Sequence, residues 1–373
     1  MAAPNNKKPV NNIMSIQMSL FDEPVPSPGI GGTLDIDIAR EDIAAKKIAE
    51  HKRQAEAEQM EIDRKKLGKA PKLKFISFGS GSSGNCAYLG DDRAGVLIDA
   101  GVDADSVIKA LADNSIPLDN IKAILLTHDH SDHVKYAYTI LRKTKKKSGE
   151  QGMTLCCTPR ALNGLLRRHN ISRRIKDYHR AIYKEHPFEI GNMNIIAFET
   201  SHDGSDNAGF CISHGAGTFV ITTDTGIVTD RADFYMRQAN YLVIESNYDD
   251  DMLTRGLYPE YLKARIRGER GHLSNVVASS YVSSIVSDAL TDVFLCHLSN
   301  DNNTHEIAIA AMTGAIRAKG FGVVDGDVSG SRGGGSVRLS VLPRFGSSPL
   351  YVLRAIDERT QHSPLNIQND NSL

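Results

Sequence analysis

The chain has 373 residues, of which 40% are hydrophobic, so it can form a sizeable core with extensions and is not a wholly disordered protein. Its 44 basic and 45 acidic residues leave a formal net charge of −1, so only local basic patches could attract a polyanion. The five cysteines form no CxxC pair, and no apolar run approaches the roughly 20 residues of a membrane span; we expect a cytoplasmic protein without thiolate metal ligands or membrane contact.

The N-terminal segment is predicted to lie outside the folded core. Residues 1–40 are rich in Asn, Pro, Gly and Ser and have too little apolar content to offset the entropy cost of ordering, so we expect disorder. Residues 41–67 are dominated by Ala, Glu, Lys, Gln and Arg, which favours a helix surrounded by solvent. Together they form a tail that we assign to residues 1–70.

After this tail, short apolar strands alternate with helices. Apolar runs that end in polar residues predict strands at 73–79, 94–101, 121–128, 193–201, 217–224, 241–247 and 292–299. Helical patterns cover Asp105–Ala112, Val134–Lys143, Pro159–His169, Val276–Val286 and Glu306–Ala318. This order indicates an α/β domain with a mixed sheet. Strands that end in polar residues also suggest a site at their ends.

The C-terminal segment changes composition after Gly326. SGSRGGGS (329–336) has the composition of a flexible linker, and SVRLSVLPR (336–344) is a candidate edge strand before a polar tail. We therefore expect the core domain at 71–325 and a separate segment at 326–373.

The densest group of metal-ligand residue types follows the strand predicted at 121–128. His128, His130, Asp132 and His133 fall within six residues, at the turn from this strand into a helix. Imidazoles and carboxylates together suit Zn²⁺ or Mn²⁺ and leave coordination positions open for water. At such a turn the first two histidines can reach one ion, while Asp132 and His133 reach another.

This HxHxDH sequence resembles the defining motif of the metallo-β-lactamase superfamily, and the other superfamily motifs follow in the expected order. The resemblance implies an αββα sandwich and two divalent ions. For the first ion it implies the ligands His128, His130, His202 and Asp224, and for the second Asp132, His133, Asp224 and His297. It also implies that Asp99, in VLIDAG, supports a histidine ligand. Two such ions would activate a bridging water and stabilise both oxygens of a phosphoryl displacement.

Two further residues resemble a pair found in tRNA 3′-processing endonucleases of this superfamily. Glu245, in LVIESNYD, matches the glutamate of their HEAT motif, and His272, in ERGHLSN, matches the histidine of their HST loop. The resemblance implies that Glu245 orients His272, which protonates the leaving oxygen. We count these two residues and Asp132 as catalytic.

The sequence is most similar to the YycJ, or WalJ, branch of the superfamily. The segments that carry this similarity span residues 72–325: FGSGSSGN, LIDAG, THDHSDH, TTDTG, ESNYD, GHLSN and HLSNDNN. The similarity implies a 5′-to-3′ exonuclease on double-stranded DNA, linked to mismatch repair. No tRNA-clamping arm and no β-CASP insertion is visible in the sequence, which disfavours RNA processing.

Two alternatives stay open. One is an RNA-processing nuclease or small phosphodiester hydrolase with the same dinuclear site, because one fold hosts many chemistries. The other is a regulatory protein with a vestigial site, although every ligand position is filled.

Several residues are candidates for contact with phosphates. The Gly/Ser loop at 79–84 offers backbone N–H groups and the hydroxyls of Ser80, Ser82 and Ser83. Basic residues form three clusters, which are Arg142 to Lys147, Arg167 to Lys176, and Arg265, Arg267 and Arg270. The last cluster, with Arg270 beside His272, is the one we favour.

One short peptide in the tail suggests a partner. Gln17-Met18-Ser19-Leu20-Phe21 resembles the peptide by which bacterial replication and repair proteins bind the sliding clamp. An exposed Leu20-Phe21 pair in a polar tail fits insertion into an apolar pocket, with Gln17 fixing the register.

Overall fold

Two stacked β-sheets form the centre of the protein. The computed structural model describes residues 71–144, 152–326 and 335–354. Within these residues the first sheet contains, in spatial order, Tyr351–Arg354 (β15), Lys72–Gly79 (β1), Cys86–Gly90 (β2), Gly95–Ile98 (β3), Ile121–Leu125 (β4), Thr154–Cys157 (β5) and His179–Ala181 (β6). The second contains Gly322–Asp325 (β13), Ser336–Val341 (β14), Asp292–Cys296 (β12), Tyr241–Glu245 (β11), Gly217–Thr222 (β10), Ala208–His214 (β9), Met193–Glu199 (β8) and Phe188–Ile190 (β7).

Each sheet combines a parallel and an antiparallel part. Strands β3 to β6 run parallel in the first sheet. In the second sheet β10, β11, β12, β14 and β13 run parallel. Parallel neighbours end at the same edge of a sheet, so residues that follow them come together.

Helices cover the outer faces of both sheets. Their bounds are Ala104–Asp113 (α1), Ser131–Val134 (α2), Ala137–Lys143 (α3), Pro159–Arg168 (α4), Asp230–Met236 (α5), Asp250–Arg255 (α6), Glu260–Arg267 (α7), Asn275–Ile285 (α8) and His305–Arg317 (α9). Val107 of α1 and Leu165 of α4 pack in one core with the first sheet. Val282 of α8 and Met312 of α9 do so with the second. The expected αββα sandwich is confirmed.

An aromatic cluster joins the two sheets. The ring of Phe75 in β1 lies 5.1 Å from that of Phe219 in β10 and 5.0 Å from that of Phe294 in β12. All three rings are fully buried. Strands β10, β11 and β12 are covered by this core on one face and by helices on the other, which is why their sequences are continuous apolar runs.

Polar side chains fix where several helices begin. Asp103 accepts the Ser106 N–H at the start of α1, and Thr158 accepts the Ala161 N–H at the start of α4, where proline takes the first helical position. Ser274 accepts the Val277 N–H in the same way and begins α8, two residues after His272. The cap therefore fixes the chain beside a candidate catalytic residue.

The predicted strands and most predicted helices are present, but the helix predicted at Val134–Lys143 is interrupted. It consists of α2, which ends at Val134, and α3, which begins at Ala137. The backbone of Ala100 causes this break, because its N–H donates to His133 O at 2.7 Å and its carbonyl accepts from Tyr136 N at 2.9 Å. The loop after β3 thus holds the chain on both sides of the break.

Two expectations for the C-terminal segment are wrong. Strand β14, expected at an edge, lies between β13 and β12. The core does not end at residue 325, because β14 pairs with β12 and β15 pairs with β1, which places the described residues 335–354 in the two sheets. Each strand gains a full row of backbone hydrogen bonds from a partner far away in sequence.

Other predictions fall outside the described residues. These are the disordered tail and solvated helix of residues 1–70, the clamp-like peptide at 17–21, the basic residues 145–147, most of the Gly/Ser linker and the polar tail after residue 354. Across the part of the chain that the structure describes, no helix has the length and apolar character to span a membrane.

Candidate functional site

The predicted site residues gather where strands end. Asp99 directly follows β3, and the segment Thr127–His133 begins two residues after β4. In the second sheet the corresponding positions are His202 after β8, Asp224 after β10, Glu245 at the end of β11 and His297 directly after β12. Six separate segments therefore contribute side chains to one edge of the sandwich.

Three histidines form a first group. One ring nitrogen each of His128, His130 and His202 lies within 4.8 Å of the other two. His128 and His202 are buried, whereas His130 is partly exposed. Burial lowers the pKa of all three, so their imidazoles are neutral and can each offer a lone pair.

A second group contains Asp132, His133 and His297, whose ligand atoms also lie within 4.8 Å of one another. Asp132 Oδ2 lies 3.4 Å from His133 Nε2 and 3.7 Å from His297 Nε2. Burial opposes a positive charge on His297, but Asp224 and its carboxylate neighbours raise its pKa to about 10. A cation bound by this group would therefore replace a proton.

Asp224 lies between the two groups. Its Oδ2 is 3.3 Å from His133 Nε2 of the second group, and its Oδ1 is 3.9 Å from His202 Nε2 of the first. Oδ1 is also 3.4 Å from His297 Nδ1, so the carboxylate lies beside histidines of both groups. This is the arrangement expected of a residue that bridges two ions.

Buried nitrogens without partners show that these residues fit divalent cations. Among the described residues, His128 Nε2 and His297 Nε2 are buried and have no hydrogen-bond partner. Leaving such an atom unsatisfied costs about 1–3 kcal/mol, so a ligand is expected there. Histidine and aspartate donors suit zinc or manganese.

Asp99 fixes the orientation of His133. Its Oδ2 lies 2.7 Å from His133 Nδ1, and its Oδ1 accepts the Thr127 N–H at 2.8 Å. The contact with Nδ1 favours the tautomer with its proton on Nδ1, so that Nε2 carries the lone pair that a metal would need. The supporting role expected of Asp99 agrees with this geometry.

Glu245 and His272 are in contact, as the sequence led us to expect. Glu245 Oε1 lies 2.7 Å from His272 Nδ1, and His272 Nδ1 lies 3.8 Å from Asp224 Oδ1. Burial opposes ionisation of Glu245, but the neighbouring His272 outweighs it, and the pKa of the carboxyl is lowered. The same Oε1 is also 2.9 Å from His297 Nδ1, a contact that sequence reasoning missed.

Three site residues have left-handed backbones although none is glycine. Asp99 has φ 60°, Asp224 φ 50° and His297 φ 55°. Such conformations cost about 1–3 kcal/mol each and persist only where the surroundings enforce them. All three turn the chain sharply just after a strand, which directs their side chains into the site.

Two supporting residues, Asn85 and Asp129, lie in segments that carry the family resemblance, but the sequence did not predict their contacts. Asn85 Nδ2 lies 2.9 Å from His133 Nε2 and 3.1 Å from Asp132 Oδ2. Asp129 is buried, and its carboxylate accepts the N–H of Ser205 at 2.8 Å and the hydroxyl of Ser205 at 2.7 Å. The loop after β4 is thereby attached to the loop after β8. The available sequence signal for Asp129 was its position between two candidate ligands, His128 and His130.

The candidate phosphate contacts differ in their surroundings. Ser80 is buried and its hydroxyl accepts the His297 N–H at 2.9 Å, whereas Ser82 and Ser83 are exposed. Arg270 Nε donates to the carbonyl of His202 at 3.1 Å, and Arg168 Nε lies 3.5 Å from Asp129 Oδ2. Members of two basic clusters therefore border the first group.

Comparison with known proteins agrees with this geometry. Residues 95–285 match the family described as the beta-lactamase superfamily domain. A Bacillus anthracis protein named exodeoxyribonuclease YycJ is 30% identical over 251 residues, which cover 67% of this chain and 92% of that protein. Exodeoxyribonuclease WalJ of Streptococcus pneumoniae strain D39 is 29% identical over 257 residues, 67% of this chain and 91% of that one.

Solved structures show the same fold at low identity. Unliganded yeast PDE1 superposes with a TM-score of 0.55 and 11% identity, covering 76% of this chain and 99% of that one. Zn²⁺-bound PqqB from Methylobacterium extorquens gives a TM-score of 0.51 and 16% identity over 74% of this chain and 99% of its own.

Proposed function

Since the chain belongs to the metallo-β-lactamase superfamily and is a metal-dependent hydrolase, we propose that it is a nuclease that degrades double-stranded DNA from the 5′ end, in repair or replication. The observation that carries the proposal is the Glu245–His272 pair, 2.7 Å apart and directed at the carboxylate between the two ligand groups. The similarity of the chain to proteins named exodeoxyribonuclease supports DNA as the substrate. The 5′-to-3′ direction of degradation rests on the sequence resemblance.

Two divalent cations, zinc or manganese, would be held by the two ligand groups. His128, His130 and His202 would hold the first, and Asp132, His133 and His297 would hold the second, with Asp224 placed between them. When bound, such ions supply Lewis acidity and lower the pKa of water.

Other residues of the site have roles in proton transfer and in orienting the ligands. His272 is about one-fifth exposed and so faces the open side of the site, where it donates a proton to the leaving oxygen. Glu245 stays ionised and stabilises the protonated ring. Asp99 keeps His133 in its binding tautomer. Protonation of the leaving oxygen is needed because an alkoxide leaves poorly from a phosphodiester.

Basic residues position the phosphate backbone. Arg168 and Arg270 border the first group from different segments, α4 and the loop before α8. Such contacts neutralise phosphates without reading bases, which suits an enzyme that removes nucleotides of any sequence. Ser82 and Ser83 remain candidates for the same role, and the peptide at 17–21 remains a candidate for binding the sliding clamp.

A digestion experiment tests the proposal. The wild type and Asp132→Ala are stripped of metal, supplied with Mn²⁺ or Zn²⁺, and incubated with end-labelled duplex DNA, single-stranded DNA and RNA. We expect stepwise loss from the 5′ end of duplex DNA by the wild type alone. Cleavage of RNA only, or of small phosphodiesters only, would instead support the alternative substrates.

A further inference from the structure

Asp203, the residue after His202, has one carboxylate oxygen inside the first group. Its Oδ1 lies 3.2 Å from His130 Nε2 and 3.5 Å from His202 Nε2. This oxygen is buried and has no hydrogen-bond partner among the described residues. The carboxylate oxygen therefore lies close to both imidazole nitrogens but forms a hydrogen bond with neither.

Arg265 holds the other oxygen. Its Nε lies 2.8 Å and its Nη2 2.7 Å from Asp203 Oδ2. The side chain of Arg265 projects from α7 and is 59% exposed, whereas that of Asp203 is 30% exposed. The guanidinium thus turns the carboxylate so that Oδ1 points away from solvent and towards the histidines.

A simple ion pair with Arg265 does not account for this geometry. It explains the position of Oδ2, but it leaves Oδ1 buried and without a partner, 3.2 Å from His130 Nε2 and 3.5 Å from His202 Nε2. A buried carboxylate oxygen is unfavourable unless it is paired. A cation held by the first group would satisfy the oxygen and both nitrogens together.

We propose that Asp203 is an additional ligand for the cation bound by His128, His130 and His202, and that Arg265 is the positioning residue that orients it. The inference rests on the cation sites of the proposed function. It adds a second negatively charged donor, beside Asp224, to a cation otherwise held by three histidines, which strengthens binding of a divalent ion.

Metal titration of the full chain tests the role of Asp203. Metal-free wild type, Asp203→Asn, Asp203→Glu and Arg265→Ala are titrated with Co²⁺, and both affinity and the d–d absorption spectrum are recorded. The matched control is Asp206→Asn in the same loop, because the oxygens of Asp206 are bonded to Thr158 and Lys184 instead.

We expect Asp203→Asn to weaken one of the two cation sites by about 10–100-fold and to change the spectrum, the size of effect seen when groups around a metal are altered. Arg265→Ala should have a smaller effect in the same direction, and Asp203→Glu should retain more affinity than Asp203→Asn. Asp206→Asn should titrate like the wild type.

Two outcomes would overturn the proposal. One is an unchanged affinity and spectrum in Asp203→Asn. The other is a loss of cation binding by Asp203→Asn and Asp203→Glu alike, together with a lower melting temperature of the metal-free protein, which would indicate a purely structural role. Neither depends on DNA, so a wild type that binds two cations but cuts no DNA contradicts the proposed function and leaves this inference standing.

Discussion

Glu245 Oε1 lies 2.7 Å from His272 Nδ1, so a fully buried carboxylate holds the imidazole that faces the open side of the site. The pair is attached to the rest of the site, because Glu245 Oε2 accepts the Thr225 N–H at 2.9 Å. Thr225 directly follows Asp224, the residue between the ligand groups. The position of the His272 ring is therefore coupled to the position of the Asp224 carboxylate.

Replacing His272 by alanine should lower kcat on DNA by about 100- to 10,000-fold, because the leaving oxygen loses its proton donor. Hydrolysis of a p-nitrophenyl phosphodiester should be much less affected, since that leaving group needs no proton. Steady-state kinetics on both substrates check this. His186→Ala, a change at an exposed histidine, is the control. An equal loss on both substrates would contradict the acid role.

Replacing Asp99 by asparagine should weaken binding of one cation by about 10–100-fold. The amide can donate to His133 Nδ1, which would stabilise the tautomer that carries its proton on Nε2, the atom needed for the metal. Metal titration compares this variant with Asp92→Asn, whose carboxylate pairs with Lys74 at the surface. Equal affinity in the two variants would argue against the support of His133 by Asp99.

Cation binding to the second group should release protons near neutral pH. Carboxylates outweigh burial and raise the pKa of His297 to about 10 and that of His133 well above its usual range, so both rings are protonated at pH 7 before the cation binds. Between pH 8 and pH 6 the affinity of this group should therefore fall by about tenfold per pH unit for each proton displaced. The first group, whose imidazoles are already neutral, should respond less. Calorimetric titration in buffers of different ionisation enthalpy measures the protons released, and a count of zero would contradict the prediction.

Replacing Arg168 and Arg270 by alanine should weaken DNA binding and reduce its dependence on salt. Each phosphate contact that is lost should lower the slope of log affinity against log salt by about 0.9. Fluorescence anisotropy with a chelator present measures binding without cleavage. Arg317→Ala, on α9 and outside the basic clusters, is the control. A slope unchanged from that of the wild type would contradict the proposed contacts between these arginines and DNA phosphates.

Much of the fold could be predicted because its central strands are covered on both faces. Such strands are continuous apolar runs, as in Tyr241–Glu245, and are recognisable without knowledge of their neighbours. The candidate ligands could be found for a related reason, because each follows one of these runs. The position of β14 could not be predicted, since an edge strand and a central strand differ only in their partners.

The supporting residues were missed because their roles depend on contacts between distant segments. Asn85 is 48 residues from His133 in sequence, and its place at the end of FGSGSSGN does not show which side chain it contacts. The contact of Asp203 with His130 likewise depends on the packing of two loops. Sequence patterns identify the residue types that the chemistry needs, whereas these contacts can be identified only from the folded structure.

The left-handed backbones of Asp99, Asp224 and His297 have a consequence for how such a chain changes over evolutionary time. Glycine would adopt these conformations without steric conflict, so the backbone conformation alone gives no reason to keep aspartate or histidine there. Asp99 has a structural reason as well, because its carboxylate accepts the buried Thr127 N–H. In a related chain that has lost the chemistry, glycine should therefore replace Asp224 or His297 more readily than Asp99.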